Sequence, residues 1–355
     1  MVISRTPYRI SFFGGGSDYP AWYRQHTGCV IAATINKYCY LTCRYLPPFF
    51  EHRIRVVYSK IEDCLTVDQI AHPAVRETLR YLKLDRGLEI HHDGDLPGRS
   101  GMGSSSAFTV GLLHALCALQ EQMMAKRQLA DVALRIEQEF LKETVGSQDQ
   151  ICAAYGGFNF INFHRNGDFS VRPVTASADR ILELQSHLML FYTGIKRTAS
   201  TIASSYVTNM DAKTAVLKRF MDMVEQSAAI LAGDRPMHQF GELLHEAWTA
   251  KRTLGGMISN SLIDTHYETA RAAGALGGKL LGAGGGGFLL LFVPPEHQPA
   301  VRHALARLIH APFEFEYSGS QIIFYDPQED FATHDKARLD RPIDPFRELD
   351  AGPPH

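Results

Sequence analysis

The chain is expected to fold as an α+β protein, on three observations. Its N-terminal half carries short β-branched and aromatic runs separated by turn residues. Its C-terminal half carries a long stretch with helical apolar spacing, roughly Thr198 to Ala273. Three glycine-rich segments, around Gly14–Gly16, Gly98–Gly103 and Gly282–Gly287, each open or close an apolar run.

In chain order, residues 1–13 read as two short strands broken at Pro7, which has no backbone donor. The loop Gly14-Gly15-Gly16-Ser17-Asp18-Tyr19-Pro20 leads into a short helix ending near His26. Val30–Ile35 and Tyr38–Tyr45 read as two strands that pair with each other. Arg53–Ser59 and Leu88–His92 are further strands, with a helix near Ala74–Lys83 between them. Helices follow near Ser105–Gln120 and Lys126–Phe140, then strands at Gly156–Phe163 and Leu188–Tyr192. The helical stretch breaks at Gly233–Pro236 and Leu254–Met257. Lys279–Leu281 and Phe288–Val293 flank a glycine run. A helix over 298–309 and strands near 313–317 and 321–325 complete the pattern. From Asp326 the composition turns polar and proline-rich, as in a loosely packed tail. The shift from strand-rich to helix-rich sequence near 175–187 predicts a domain over 1–180, a second over 181–327 and a tail over 328–355.

A chain of 355 residues with 45% hydrophobic and 21% charged residues is an ordinary globule with room for a large core. A formal charge of −2 gives no electrostatic case for nucleic acid. No apolar run reaches membrane-span length, and Met1–Ile10 has no signal-like apolar core. The six cysteines, Cys29, Cys39, Cys43, Cys64, Cys117 and Cys152, show no paired metal spacing. They read as buried thiols of a cytoplasmic protein.

The most informative segment is Leu-Pro97-Gly98-Arg99-Ser100-Gly101-Met102-Gly103-Ser104-Ser105-Ser106-Ala, followed at once by an apolar helix. Glycines there let backbone N–H groups turn inward, and the helix dipole points its positive end into the loop. A phosphate suits that place, and a serine hydroxyl can also reach a metal ion. Alone, a Gly/Ser cluster is a flexible turn; the unbroken helix behind it weighs against that reading. Two carboxylates follow. Glu137 lies on the next helix, and Asp149 lies in a glycine-containing loop beyond it. One could act as a general base and the other hold Mg²⁺, against the plain readings of a helix-surface charge and a turn former. Arg9 sits in an apolar strand just before the first glycine loop, where a guanidinium could orient a carboxylate.

Gly282-Ala283-Gly284-Gly285-Gly286-Gly287 fits the spacing of a dinucleotide fingerprint, but a strand rather than a helix follows it. It reads instead as a hairpin whose bare backbone another loop can approach. The lysine-containing phosphate loop G-x-x-x-x-G-K-[ST] is absent. Lys196 and Arg197, between a strand and a helix start, suit an anionic substrate group, against the plainer reading of two solvated turn charges.

Three of these segments form one pattern. Pro7-Tyr-Arg9-Ile-Ser-Phe-Phe-Gly14-Gly-Gly-Ser-Asp18-Tyr19, the Pro97–Ser106 loop and Lys279-Leu-Leu-Gly282-Ala283-Gly284-Gly-Gly286-Gly287 resemble, in order, the three motifs of the GHMP kinases. Met102 stands where leucine is usual. The first motif looks most like that of the D-glycero-D-manno-heptose 7-phosphate kinases. The resemblance covers about residues 1–325. It implies an N-terminal domain like ribosomal protein S5 and a ferredoxin-like C-terminal domain.

It also implies ATP in the loop Pro97–Ser106 and Mg²⁺ on Ser105 and Glu137. Asp149 would be the catalytic aspartate and Arg9 the arginine that holds it ionised. The twelve-residue spacing of Glu137 and Asp149 is that of galactokinases. Asp18 matches an aspartate that binds sugar hydroxyls; Gly15, Gly16, Ser17, Lys196, Arg197, Gly284 and Gly285 complete the expected substrate contacts. Galactokinases carry Glu-His where this chain has Gly15-Gly16, which opens space and removes a negative charge. The implied activity is phosphorylation of the anomeric hydroxyl of heptose 7-phosphate to the 1,7-bisphosphate, feeding nucleotide-activated heptose for a surface polysaccharide. The implied partners are the sugar phosphate and ATP, with a homo-oligomer allowed. A kinase for free galactose or fucose, or a non-catalytic sugar and ATP sensor of the same fold, are the alternatives. A Rossmann oxidoreductase stands third, set aside by the strand after Gly287.

Overall fold

The computed structural model describes residues 1–195, 213–233, 235–255 and 258–327, with a few positions up to 337. Two sheets organise it. The larger has nine strands and is built on one long central strand. β1 (Val2–Phe13) runs antiparallel along one edge of β2 (Gly28–Tyr45), with α1 (Pro20–His26) between them in sequence. The other edge of β2 takes three partners in succession. They are β6 (Phe158–Phe163), β12 (Phe315–Glu316) and β5 (Leu88–Gly94). β3 (Ile54–Val57) pairs parallel with β5 and antiparallel with β4 (Ile61–Cys64); β7 (Phe169–Pro173) pairs with β6, and β13 (Gln321–Tyr325) with β1.

The smaller sheet has the order β11 (Ile309–His310), β8 (Leu188–Tyr192), β10 (Phe288–Phe292), β9 (Gly277–Leu280), antiparallel throughout. The helices cover the sheets. α2 (Pro73–Leu82), α3 (Ser104–Leu119), α4 (Lys126–Arg135) and α5 (Gln148–Tyr155) belong with the larger sheet. α6 (Ala178–His187), α7 (Thr214–Ala232), α8 (His238–Arg252), α9 (Ser261–Ala272) and α10 (Gln298–Ala304) come later in the chain; α8 packs on β9 and β10 of the smaller sheet, and α7 packs on α8 and on β1 and β2 of the larger. α3 packs on β1 and β2 and is buried almost all round, as its unbroken apolar composition demands.

The α+β class holds, and several boundaries differ from expectation. β1 is one strand, not two. Pro7 is accommodated because the β1–β2 register slips there: Pro7 faces Tyr38 and Tyr8 faces Ile35, so Asn36 and Lys37 have no partner on β1. A missing N–H costs little at a point where the ladder is already interrupted. Val30–Ile35 and Tyr38–Tyr45 do not pair with each other; they are successive parts of β2, each paired with β1.

The strands near 313–325 leave the smaller sheet and close the larger one through β12 and β13. We propose that a two-domain division follows the sheets and assigns residues 315–325 to the first, rather than running 181–327 unbroken. The expected cut at 180/181 falls inside α6.

Candidate active site

A cleft of about 580 Å³ lies where the end of β1, the N-terminus of α3, the segment before α5 and the smaller sheet meet. β1 delivers Arg9 to it. The guanidinium donates from Nε to Oδ1 and from Nη2 to Oδ2 of Asp149, both at 2.7 Å, a two-pronged pair. Its Nη1 donates to the carbonyl of Gly101 at 2.8 Å, and its backbone N–H donates to the carbonyl of Met102 at 3.0 Å. Arg9 thus ties Asp149 to the Gly/Ser loop. Burial would loosen the guanidinium's proton, but Asp149 beside it more than offsets this and raises its affinity. The Arg9 side chain is 5% exposed and that of Asp149 25%, so the carboxylate is the member that meets the cleft. Asp149 is not in a loop, as the sequence reading had it, but in the first turn of α5, where a carboxylate complements the helix dipole.

The Gly/Ser loop takes its shape from glycines. Gly101 and Gly103 have φ of +83° and +75°, and Gly103 rather than a serine caps α3. Ser104 Oγ accepts from the N–H of Arg99, closing the loop on itself. Arg99, Gly101, Gly103, Ser104, Ser105 and Ser106 line the cleft. Four other expected nucleotide contacts do not. Met102 is wholly buried in the core, Ser100 is buried beneath the loop, and Pro97 and Gly98 are exposed outside it. The third glycine run supports the loop from behind: the N–H of Phe288 donates to the carbonyl of Ser100 at 3.2 Å. It forms the β9–β10 hairpin, as expected of bare backbone that another loop approaches.

Glu137 is not a helix-surface charge. α4 widens after Arg135 into a π turn over Ile136–Phe140, a local irregularity often found at functional sites. This turns Glu137 fully inward. Its Oε2 accepts from Ser106 Oγ at 3.0 Å and from Gln150 Nε2 at 2.5 Å, while Oε1 has no protein partner. Burial pushes its carboxyl up to about 7, against the hydrogen bonds of Gln150 and Ser106. A buried carboxylate with an open oxygen, beside serine hydroxyls, is a hard donor set of the kind Mg²⁺ takes. Among the described residues no group of three acidic, histidine or cysteine side chains is placed to hold a metal ion, so phosphate and water oxygens would complete the shell. The serine that touches Glu137 is Ser106; Ser105, paired with it by the resemblance, is exposed on the cleft side of the same turn.

At the other end of the cleft, Gly14 has φ of +85°, and a Cβ there would lie 2.0 Å from the carbonyl oxygen of Cys29, so only glycine fits. Gly15, Gly16 and Asp18 line the space. Asp18 is buried, and burial raises its carboxyl. Its oxygens accept from the N–H groups of Gly16 at 2.8 Å and Gln148 at 3.4 Å, joining the first glycine loop to α5. Ser17 does not face the cleft. It is buried, and its hydroxyl donates to the carbonyls of Gly14 and Cys29. Gly284 and Gly285 also stand back, against Ile258, and Gly282 and Ala283 line the cleft instead. Lys196 and Arg197 lie outside the described residues. Lys251 and Lys279 also line the cleft and Gln150 donates to Glu137, three residues to which the sequence patterns give no role. Lys279 alone carried a signal, as the first residue of the third glycine motif.

The cleft brings together an arginine-held carboxylate, a glycine-shaped loop at a helix N-terminus and a buried carboxylate with an open oxygen, groups whose chemistry suits phosphoryl transfer. Residues 69–157 match the GHMP kinases N terminal domain and residues 227–311 the GHMP kinases C terminal domain; the chain belongs to this family and is a sugar kinase. It is 29% identical over 309 residues to the D-glycero-alpha-D-manno-heptose 7-phosphate kinase of Campylobacter jejuni, covering 83% of this chain and 90% of that one. It is 24% identical over 354 residues to the galactokinase of a Roseiflexus species, covering 87% and 88%. A crystal structure described as a D-glycero-D-manno-heptose 1-phosphate kinase from Bacteriodes thetaiotaomicron superposes with a TM-score of 0.75 at 25% identity, covering 92% of this chain and 100% of that one. Among the described residues no helix is long and apolar enough to cross a membrane.

Proposed function

We propose that the protein transfers the γ-phosphoryl group of ATP to the anomeric hydroxyl of D-glycero-D-manno-heptose 7-phosphate, giving the 1,7-bisphosphate and ADP in the cytoplasm. The observation that carries the transfer is the Arg9–Asp149 pair bound to the Gly/Ser loop. Two relatives named for heptose phosphates support the acceptor, as does the absence of side chains at Gly15 and Gly16. Asp149 accepts the proton of the attacking hydroxyl, whose oxygen forms the new bond to the γ-phosphorus as the bond to the β-phosphate oxygen breaks. Arg9 orients that carboxylate. The N–H groups of Gly101–Ser106 cradle the nucleotide phosphates.

Glu137 and the serine hydroxyls of α3, Ser106 with Ser105, would hold Mg²⁺, which supplies charge neutralisation on the phosphates when bound. Glu137→Gln keeps the shape but loses an anionic ligand. The Mg²⁺ concentration for half-maximal rate should then rise by about 10–100-fold, the range seen even for lost outer-shell partners. A Mg²⁺ titration checks this, and an unchanged midpoint removes Glu137 from the metal site. The acceptor is tested by a coupled ADP-release screen over heptose 7-phosphate, free heptose, galactose and fucose. Highest kcat/KM on heptose 7-phosphate is expected; preference for a free sugar overturns the assignment.

A further inference from the structure

We propose that Lys279 is a positioning residue for the acceptor end of the cleft: from the smaller sheet it holds the bulged end of β1, and through it the loop Gly14–Asp18. This goes beyond the choice of sugar and does not depend on it. β1 and β2 lose register between Ser11, which faces Ala32, and Phe13, which faces Ile31; Phe12 is the extra residue of a bulge. Bulges take backbone groups out of the ladder and re-aim the chain. The carbonyls at this bulge, those of Ser11 and Phe12, both accept from Lys279 Nζ, at 2.9 and 2.7 Å. Lys279 stands in β9, so this contact crosses from one sheet to the other. The lysine is 7% exposed and forms part of the cleft wall, as does Ser11, whose buried hydroxyl has no protein partner.

The chain that leaves the bulge is the acceptor loop. Gly14 follows at once, then Gly15, Gly16 and Asp18, so a shift of the bulge carries them with it. The Arg9–Asp149 pair is anchored separately, through Gly101 and Met102. Loss of Lys279 should therefore weaken the acceptor far more than the nucleotide.

The charged groups around the ammonium are few. Arg9 and Asp18, from β1 and its loop, act on it in opposite senses, and Arg9 is itself paired with Asp149. α8, packed on β9, brings Lys251, which donates to the carbonyls of Leu280 and Gly282, and His245, bonded to Tyr267. β10 brings no charge. Burial and then Arg9 push Lys279 down to about 7, against Asp18. The protonated lysine makes charge-assisted bonds to both carbonyls, and the neutral amine makes weaker ones. The hold on the bulge should thus loosen as pH rises through about 7.

The test is steady-state kinetics of the whole protein, wild type, Lys279→Met and Lys279→Arg, from pH 6 to 9, with the sugar turned over best in the ADP-release screen. Lys279→Met should raise the KM for that sugar by about tenfold or more and leave the KM for ATP within twofold. The wild-type sugar KM should rise above about pH 7. In Lys279→Arg, charged at every pH, this lysine-dependent rise should be missing. Titration of a phosphate on the sugar is common to all three proteins and cancels in the comparison. If heptose 7-phosphate is not the acceptor, the proposed reaction fails while this comparison still runs on the sugar that is. Equal losses for sugar and ATP in Lys279→Met overturn the proposal. So does a wild-type sugar KM that is level from pH 6 to 9, a measurement that needs no variant to fold.

Discussion

Asp149→Asn should lower turnover by about 10²–10⁴, the usual cost of a lost general base, and leave the KM for ATP within a few-fold of wild type. The amide is nearly the same size but cannot take the hydroxyl's proton. It also presents an NH₂ to a guanidinium that has only donors, so one prong of the Arg9 pair is lost. In the proposed reaction the nucleotide is held by other groups, chiefly the backbone of Gly101–Ser106, so its binding should persist. Single-turnover rates at saturating ATP, with ATP binding measured by calorimetry, separate the two effects. Turnover within threefold of wild type would take Asp149 out of the base role and leave it as an anchor for Arg9.

The second large effect is on the fold around the Gly/Ser loop. Gly287→Ala should destabilise the protein by about 2–5 kcal/mol, combining a strained left-handed backbone with a steric clash that must be relieved. Gly287 has φ of +101°, and a Cβ there would sit 2.1 Å from the carbonyl oxygen of Ser100, a backbone atom that cannot swing aside. Its own N–H and carbonyl are both engaged, with Ile195 and Thr193. Relief of the clash would push the Gly/Ser loop off the smaller sheet, so ATP binding should weaken along with stability. Urea unfolding and ATP titration at a temperature where the variant is folded check both. Gly98→Ala makes the contrast: nothing lies within 4 Å of a Cβ there, and both properties should stay close to wild type.

These two glycines show how far the chain could be read before it was seen folded. The sequence marked out the three glycine segments, because a run of glycines before a helix or between strands has few other uses. It also marked out Arg9, Glu137 and Asp149, because charged residues at those spacings matched a pattern whose order along the chain chance seldom produces. The structure brings those three side chains to one cleft with the Gly/Ser loop.

It could not show that β1 runs unbroken past Pro7, since that depends on the two unmatched residues of β2 opposite it. Nor could it tell Ser106 from Ser105. Which serine of a helix's first turn meets Glu137 depends on how α3 lies against the widened turn after α4, and consecutive residues point about 100° apart. Lys279 stood at the head of the third glycine motif, but nothing near it in sequence pointed to its partners, Ser11 and Phe12, more than 260 residues away. Local backbone preference and the identity of reactive groups are properties of short segments, so the α+β class, the glycine loops and the residues that could do chemistry were legible along the chain. Register, helix rotation and sheet membership, including the return of β12 and β13 to the larger sheet, are set by packing between distant segments and came into view only in the folded molecule.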